Sequence, residues 1–535
     1  MRSRGYGAHR GGGHADDGWE HHLRLGHELA ATGPDGADRR RRYLEALLGD
    51  GPSLTGRPAR VLVLGAGIAG LCAAYALRRA GHEVRVLEAD PDRIGGRLAA
   101  APRGPFRDPL LHAQAAGVSI PDTHPLTLSL VDGLGLRRRP AAPPAVPTGY
   151  TAVDLLDAVL ETVRDYHTVD TPDGRVLGWA RLLHDLDHLS LGRFLTEWAG
   201  LDTAAVTAIG RLEHAGYRMP MSFVDFYLHH LHAGPRAARW EIEGGSWRLP
   251  YAFGPLLDDV VSLDRRVTRI EWYDPTRPGA AHQHVRAEGP HVWVETLSGR
   301  GRRQGYLADA AIVTLPFAAL RQVRIEPSLP AAKRRAVMAL RYEPVTTVRL
   351  EFDRRWWEFT EDRWRRELDA LAPGLYDRYA GAPARPVTPA GGTNRLPAFP
   401  AGPVPGSAGG VVLASHARAG GAVRWEAMKP DDRYARALRG LQEVYGGRIE
   451  AFFTGRGATG SWTAGEAVLA PGQLTAHHLP AVAPAGTLHF AGEHTSLRPS
   501  SVEGAVESGV RAALAVHDQH QPAPTREPVR CGARR

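Results

Sequence analysis

A strand, a glycine-rich turn and a helix follow one another within residues 61–80, and this unit restricts the possible folds more than any other feature of the chain. The apolar run 61–64 predicts a buried parallel strand. The turn reads Gly65-Ala66-Gly67-Ile68-Ala69-Gly70. Glycine at these three positions allows a tight turn, close approach of a pyrophosphate and close packing of the helix on the strand. The unit therefore predicts a dinucleotide-binding sheet.

An acid supports this prediction. Glu88 follows a second predicted strand over 83–87. In dinucleotide-binding folds, an acid about 20 residues beyond the glycine turn holds the ribose hydroxyls, and the free N–H groups at the start of the helix bind the phosphates. A glycine triplet alone is weak evidence. Here a strand, a helix and an acid also occur at the expected positions around it, so coincidence is a poor explanation.

The composition limits the classes of protein to which the chain can belong. The 535 residues, 43% of them hydrophobic, fit two or three globular domains. No run approaches the ~18 apolar residues of a membrane span. The two cysteines, Cys72 and Cys531, form no disulfide or metal pattern. Because the N-terminus lacks the apolar stretch of a secretory signal, we expect a cytoplasmic location.

The chain is basic, with a formal charge of +8. Its arginines are spread along the sequence, and no nucleic-acid-binding motif accompanies them. We therefore expect neither a nucleic-acid nor a membrane partner.

Further motifs, in a fixed order, resemble the FAD-dependent amine oxidase superfamily, and within it the flavin monoamine oxidases and the bacterial L-amino-acid oxidase-like flavoproteins. The resemblance covers roughly residues 40–517, and it is more specific for the superfamily than for a substrate. The motif segments are 65–70, 88–97 (with Arg93-Ile94-Gly95-Gly96-Arg97), 243–250, 267–270, 311–316, 342–357 and 490–509.

The resemblance implies FAD as a tightly but non-covalently bound cofactor. The glycine loop would hold its diphosphate, Glu88 the adenosine ribose, Val267 the adenine and Glu493 the ribityl–phosphate region. Arg97 would lie near the phosphates and the flavin. The implied cofactor-binding residues are Gly65, Ala66, Gly67, Ile68, Ala69, Gly70, Glu88, Ala89, Arg93, Gly95, Gly96, Arg97, Val267, Gly492, Glu493, Ser501 and Val502.

The implied fold class is α/β: a two-domain FAD-binding (Rossmann-like) flavoprotein with a mixed-sheet substrate domain and a helical insertion. The expected division is a disordered N-terminal tail (1–37), three segments of the FAD-binding domain (38–115, 236–320 and 455–518), a helical segment of the substrate domain (116–235), the rest of that domain (321–454) and a disordered C-terminal tail (519–535).

The implied reaction oxidises the C–N bond of an amine or amino-acid-derived substrate to an imine, with O2 as electron acceptor and hydrogen peroxide as product. The expected partners are therefore a small amine or amino-acid-like molecule and O2, and a homodimer is the candidate oligomeric state. The competing classes are a FAD-dependent dehydrogenase or desaturase acting on a larger natural-product-type intermediate, an orthodox L-amino-acid oxidase, and a flavin-binding protein without turnover.

Three candidate pocket residues depart from the amino-acid oxidases. Ser119 stands where they carry an arginine that clamps the substrate carboxylate, a bidentate task that serine cannot perform. Thr347 replaces a lysine near the flavin, and Ser501 replaces an aromatic residue beside it. These departures predict poor or restricted turnover of free α-amino acids, unless another arginine such as Arg218 or Arg418 binds the carboxylate.

For the remaining candidate residues, structural roles are favoured. His229, His230 and His232 are predicted to be structural rather than metal ligands, because adjacent histidines on one helix point in different directions, and no metal site is predicted. His477 and His478 are candidate bases, although structural roles are favoured. The pair at 356–357, two tryptophans, is predicted to pack in the core of the substrate domain.

Overall fold

The computed structural model of the protein describes residues 15–31, 36–98, 106–111, 119–141, 152–234, 237–276, 283–289, 291–380, 399–400, 404 and 406–521. The outermost parts of both predicted tails and most of the Pro/Gly-rich insertion at 371–409 lie outside these ranges. Within the described ranges, no helix is both long and apolar enough to cross a membrane.

The regular elements are numbered in chain order. The strands are β1 (Arg60–Leu64), β2 (Glu83–Leu87), β3 (Ile120–Pro121), β4 (Arg138–Pro140), β5 (Arg239–Ile242), β6 (Val261–Ser262), β7 (Arg266–Trp272), β8 (Val292–Leu297), β9 (Arg303–Ala308), β10 (Ala310–Val313), β11 (Arg324–Glu326), β12 (Arg341–Phe352), β13 (Phe399–Pro400), β14 (Gly410–Arg418), β15 (Phe453–Val468) and β16 (Leu488–Phe490). The helices are α1 (Ala15–Ala30), α2 (Ala37–Leu47), α3 (Ile68–Arg79), α4 (Pro125–Gly133), α5 (Ala152–His167), α6 (Pro172–Leu186), α7 (Leu191–Arg193), α8 (Thr203–Gly210), α9 (Glu213–Gly216), α10 (Phe223–Ala233), α11 (Arg248–Tyr251), α12 (Gly254–Leu257), α13 (Phe317–Leu320), α14 (Ala331–Ala339), α15 (Glu361–Leu371), α16 (Leu375–Ala380), α17 (Ala419–Glu426), α18 (Pro430–Tyr445), α19 (Gln473–Val482) and α20 (Val502–Gln519).

A five-stranded parallel sheet, in the order β16-β10-β1-β2-β6, forms the centre of the first domain. Helices α3 and α20 pack against each other beside it. A Cβ at Gly509 would lie 2.2 Å from the carbonyl oxygen of Ala69, so only glycine permits this approach. The sheet joins strands from both ends of the chain, which confirms a cofactor-type sheet assembled from distant segments.

A second sheet, β11-β7-β8-β9, packs its apolar side chains against the other side of the parallel sheet. A small third sheet pairs β5 with β3 and β4. The predicted domain boundary at 236 assigns β5 to the FAD-binding domain and β3 and β4 to the preceding segment, 116–235. Because the three strands form one sheet, β5 belongs with that preceding segment. Such short strands carry too few residues for a period-2 pattern to be visible in the sequence.

The mixed-sheet domain contains the order β13-β14-β12-β15. Its 16-residue strand β15 begins at Phe453 and runs to Val468, so the prediction that 455–468 belongs to the FAD-binding domain is wrong. This stretch contains four glycines and several polar residues, which weakens its strand signal. The sheet packs on α15 and α18 around an apolar cluster that includes Trp356, with Trp357 packed against it, as predicted for this pair.

The helical layer over 152–233 lies within the segment 116–235, for which a helical structure is predicted. It also contains α1, whose residues Leu25 and Leu29 are buried in the same core. The prediction that the whole of 1–37 is disordered is therefore wrong for residues 15–30. The apolar residues of this helix lie four positions apart. The surrounding stretch is rich in histidine and glycine, and this composition concealed the helical periodicity.

A buried histidine in this layer predicts acid sensitivity. His167 lies 3.0 Å from the Tyr227 hydroxyl and packs on Trp179, and burial lowers the pKa of His167 from 6.5 to about 4. The unfolded chain therefore takes up this proton below pH 6.5 while the folded chain does not, so stability is lost as pH falls from 6.5 toward 4. This histidine contributes at most about 1.4 kcal/mol per pH unit.

We expect the thermal midpoint of His167→Gln to fall less steeply than that of the wild type between pH 7 and 5. His184→Gln, at an exposed position of the same layer, serves as the control. Equal slopes for His167→Gln and the wild type would contradict the assignment.

Candidate active site

The glycine loop forms an open cradle at the carboxyl end of β1. Gly65 has φ +110°, a conformation that other residues rarely adopt. A Cβ at Gly70 would lie 2.0 Å from the carbonyl oxygen of Gly65, whereas a Cβ at Gly67 would meet no atom within 4 Å. Ile68 and Ala69 form the first turn of α3, whose N-cap, Gly67, supplies no side-chain cap. The N–H groups of this turn are therefore available to an anion.

Glu88 lies beside this loop, at the end of β2. The Ala66 N–H donates to its Oε2 at 2.7 Å, and the Asp90 N–H donates to its Oε1 at 2.9 Å. Burial raises the pKa of Glu88, and these hydrogen bonds oppose the shift. The Arg265 N–H also donates to the backbone oxygen of Glu88 at 2.7 Å, which fixes β7, and with it the buried Val267, near the acid.

The segment after β2 folds back onto the glycine loop. Gly95 forms a parallel bridge with Gly67 and donates its N–H to the Ala66 oxygen at 2.8 Å. Both Gly95 and Gly96 have positive φ, and Arg93 is held by Asp90 at 2.7 Å. The two sequence motifs therefore form one surface, with Ala89 in the turn between them.

Arg97 connects this surface to the C-terminal motif. Its Nη1 donates to Glu493 Oε1 at 2.8 Å and to the Gly465 oxygen at 3.0 Å. Glu493 is buried, and Gly492 before it has φ +122°. The structure thus brings together residues that are almost 400 positions apart in the sequence.

Ser501 has a local role in the structure: its hydroxyl caps α20 by accepting the Gly504 N–H at 3.0 Å. Val502 is the first residue of that helix. Sequence reasoning missed Glu503, whose buried carboxylate accepts the N–H groups of Leu126 and Thr127 at 3.0 and 2.8 Å. The only signal was an acid in the first turn of a helix.

The glycine loop and the residues around it have the features that binding of a dinucleotide requires. A glycine-rich cradle lies at a helix N-terminus, the half-buried acid Glu88 stands beside it, and a second glycine pair covers it. Gly67 faces open space that a bound pyrophosphate would occupy. The residues therefore fit FAD, with 65–70 at the diphosphate and Glu88 at the ribose.

An ion cluster lies between the helical layer and the mixed sheet. Arg218 Nη2 donates to Glu466 Oε1 at 2.6 Å, and its Nη1 donates to Asp225 at 3.1 Å. Arg418 Nε donates to Glu466 Oε2 at 3.1 Å, and the Tyr217 hydroxyl also bonds this acid. Sequence reasoning named the two arginines as alternative carboxylate clamps but missed the acids, which already pair with them.

Two of the three departures, Ser119 and Thr347, each have an arginine beside them. Arg239 Nη1 lies 3.4 Å from Ser119 Oγ and donates to it. Arg349 Nη1 donates to Thr347 Oγ1 at 2.7 Å. Sequence reasoning missed both arginines, because arginine is common in the chain and neither contact has a sequence motif: Arg239 is 120 positions from Ser119, and Arg349 is two positions beyond Thr347.

The histidine candidates do not converge on the reactive face. His230 lies 3.6 Å from Asp157, and His232 is half-buried near Arg498 and His124. In the described ranges, no three His, Cys, Asp or Glu side chains form a metal-type group. His477 and His478 line a partly open pocket of about 30 Å³ near Asp225 and Glu493.

Comparison with known proteins supports the same conclusion. Residues 68–517 match the model of the flavin-containing amine oxidoreductases. The chain is 41% identical to an L-glutamate oxidase precursor of Streptomyces viridosporus, over 86% of each chain. It is 36% identical to that of Streptomyces diastatochromogenes, over 91% of this chain and 97% of the relative. The solved cyclohexylamine oxidase of Brevibacterium oxydans shares the fold, with a TM-score of 0.63 at 20% identity, over 86% of this chain and 99% of that one. The chain therefore belongs to the flavin-containing amine oxidoreductase family and is an FAD-dependent amine oxidase.

Proposed function

We propose that this oxidase acts on a free L-amino acid, at the bond between its α-carbon and its amino nitrogen. The observation that carries the proposal is the guanidinium of Arg239, 3.4 Å from the Ser119 hydroxyl. Two relatives named L-glutamate oxidases support it and make an acidic amino acid the first compound to test.

Arg239 can supply the charge that Ser119 lacks. Arg239 lies in β5, and Ser119 directly precedes β3, whose Ile120 pairs with Trp240 of β5. Arg239 Nη2 donates to the Ala233 oxygen at 3.0 Å, which fixes one side of the guanidinium. An arginine has five N–H donors in a planar fork, so a carboxylate can bind the remaining edge while Ser119 donates its hydroxyl proton. A serine at position 119 is therefore compatible with a free amino acid as the substrate.

The protein residues bind and orient the substrate. When bound, FAD accepts the hydrogen and the two electrons removed from the substrate and passes the electrons to O2. Arg239 and Ser119 would fix the α-carboxylate and so determine which substrate bond faces the cofactor. The Arg97–Glu493 pair would hold the cofactor end of the site, and the surrounding buried side chains would exclude water from the reaction.

Arg239→Met should lower kcat/KM for L-amino acids by about 30-fold or more, since losing one partner of a buried charge pair costs about 2 kcal/mol or more. Turnover of a simple amine without a carboxylate should be unaffected. The control is Arg138→Met, in the same small sheet, where the arginine pairs with Asp132. Equal losses for amines and amino acids would argue against a carboxylate-binding role.

The substrate class is best tested by anaerobic bleaching of the flavin with a panel of L- and D-amino acids, simple amines and lactam-type compounds. We expect L-amino acids to bleach the flavin, and air to restore the colour with release of ammonia and hydrogen peroxide. Bleaching by amines or lactams alone would overturn the proposal.

Three sequence predictions stay predictions: the cytoplasmic location, the homodimer, and the lack of nucleic-acid or membrane partners. Fractionation of the native host addresses the location, for which the names of the two Streptomyces relatives, both precursors, are a reason to look. Light scattering of the purified holoenzyme addresses the oligomeric state.

A further inference from the structure

A small pocket adjoins the cofactor end of the site. Its volume is about 30 Å³, and it lies among α10, α14, α19 and the segment 493–499. We call it the inner pocket. Glu493, which pairs with Arg97, and the next residue, His494, both line it. Pockets for drug-sized ligands span roughly 300–1,000 Å³, whereas a water-sized molecule needs only about 10–15 Å³. The inner pocket is therefore too small for an amino acid but admits a molecule the size of water or O2.

Most of the inner pocket is apolar. Its walls consist mainly of leucine and alanine side chains, with one phenylalanine and one proline. Two carboxylates also line it, and each is bonded to an arginine: Glu493 to Arg97 at 2.8 Å, and Asp225 to Arg218 at 3.1 Å. Their charges are therefore already compensated within the protein. Such a lining suits an uncharged molecule and disfavours an ion.

Two neutral histidines complete the lining. Burial, and then nearby positive charges, lowers the pKa of both His478 and His494 to about 3. His494 is 8% exposed, and its ring packs on that of Phe317, with 4.4 Å between the ring centres. Within the described part of the chain, neither ring nitrogen of His494 has a hydrogen-bond partner. A small uncharged molecule that donates and accepts hydrogen bonds, such as water or hydrogen peroxide, would supply both partners.

A wider cavity lies next to the inner pocket and opens to solvent. This outer cavity has a volume of about 690 Å³, lies among α1, α2, α19 and α20, and is bordered by exposed residues such as Arg24 and His27. Three residues, His478, Ser496 and Leu497, line both the outer cavity and the inner pocket. They form the boundary between the two. A small molecule that passes this boundary from the outer cavity arrives beside Glu493 and His494.

The proposed carboxylate site is separate from both spaces. Ser119 and Arg239 belong to the described part of the chain, and neither lines the inner pocket or the outer cavity. An oxidase binds two reactants in turn, first the amine and then O2. A route on a different side of the site lets O2 reach the reduced cofactor while the oxidised product still occupies the carboxylate site.

We propose that the outer cavity and the inner pocket form the passage through which O2 reaches the cofactor and hydrogen peroxide leaves, with its boundary at His478, Ser496 and Leu497. Reoxidation transfers two electrons and two protons from the reduced cofactor to O2 and yields one molecule of hydrogen peroxide. The apolar walls admit O2, and His494 hydrogen-bonds the departing peroxide. The inference goes beyond the proposed function, because it does not depend on which amine is oxidised.

The test uses a variant that fills the inner pocket. Ala481 lines it from α19, where Lys333 Nζ donates to the Ala481 backbone oxygen at 2.8 Å and holds this wall in place. Ala481→Leu adds bulk to the side chain at this point. The flavin of the FAD-loaded protein is reduced with light and EDTA in the absence of oxygen, then mixed with O2, and its absorbance is followed by stopped flow. The rate constant of reoxidation should fall at least about tenfold, whereas anaerobic bleaching by a substrate should keep its rate.

Ala483→Leu is the matched control. Ala483 follows α19 and lines the outer cavity, where a larger side chain leaves a wide passage. Its reoxidation should match that of the wild type. Leu497→Phe, at the boundary between the two spaces, is a second blocking variant, and it should also slow reoxidation. This variant keeps the test decisive if Ala481→Leu folds poorly.

A further measurement needs no turnover. Krypton is an uncharged atom of about the size of O2, and noble gases bind in apolar cavities. Crystals of the holoenzyme pressurised with krypton should show the atom in the inner pocket of the wild type and of Ala483→Leu. The same pocket of Ala481→Leu should exclude it.

The outcomes separate this inference from the proposed function. Unchanged reoxidation in both blocking variants, or a wild-type inner pocket that takes up no krypton, would overturn the passage. Equal losses of reoxidation and anaerobic bleaching would also overturn it, because a general distortion of the site slows both. Reoxidation of the photoreduced flavin needs no amino acid. If no amino acid bleaches the wild type, the proposed function fails, yet slow reoxidation of Ala481→Leu still supports the passage.

Discussion

Replacing Gly67 by aspartate should yield a folded protein without flavin. A Cβ at this position meets no protein atom within 4 Å, and φ is −70°, which any residue adopts. The chain itself therefore tolerates the side chain. The carboxylate, however, would stand where the cofactor diphosphate binds, at the start of α3, and two like charges in one site repel strongly. The purified variant should be colourless, with no activity.

Gly56→Asp provides the matched control, because a Cβ at this exposed glycine also meets no atom within 4 Å. This variant should be as yellow as the wild type and release the same amount of FAD on acid precipitation. Circular dichroism should show native secondary structure in both. A yellow, active Gly67→Asp protein would show that the diphosphate does not bind at this loop.

Glu466→Gln should be among the most destabilising single substitutions in the protein. Burial would raise the pKa of Glu466, but Arg218, Arg418, His229 and Tyr217 hold it well below its usual value of 4.5. This stabilisation is present above about pH 4.5 and is lost as pH falls toward the lowered value. Removing the acid takes one carboxylate partner from the buried Arg218 and the Glu466 bond from the half-buried Arg418, and breaking such a cluster costs about 3–5 kcal/mol.

The measurement is chemical denaturation at pH 7, followed by tryptophan fluorescence, with flavin content recorded in parallel. Glu361→Gln is the control, since this acid is 60% exposed and bonds Arg448 and Tyr376 at the surface. It should cost about 1 kcal/mol or less. Equal costs for the two substitutions would mean that the Glu466 cluster contributes little to stability.

The cofactor side of the site was predictable because its requirements concern the backbone. A tight turn, a close approach to phosphate and a helix packed on a strand each demand glycine at a fixed position, and Glu88 follows at a fixed offset. These constraints are local, so a single sequence displays them. The strands over 267–272 and 310–313 were predictable for a similar reason, as continuous apolar or alternating runs.

The substrate side depends on pairs that are distant in sequence. Arg218 and Glu466 are 248 positions apart, and no spacing rule connects them. The chain holds 66 lysines and arginines, of which only Lys333 and Lys429 are lysine. One more arginine, such as Arg239 or Arg349, therefore carries no signal until the strands are placed side by side.

The order of strands in the parallel sheet affects how the protein folds during its synthesis. Strands β1 and β2 leave the ribosome early, yet β10 arrives more than 200 residues later, and β16 only near the end of the chain. Until then the apolar edge of β1 has no native neighbour, and exposed edges of this kind invite aggregation. A fragment that lacks either β1 or Glu493 lacks part of the cofactor site, so the yellow colour of a nascent or nicked chain reports that these distant segments have come together.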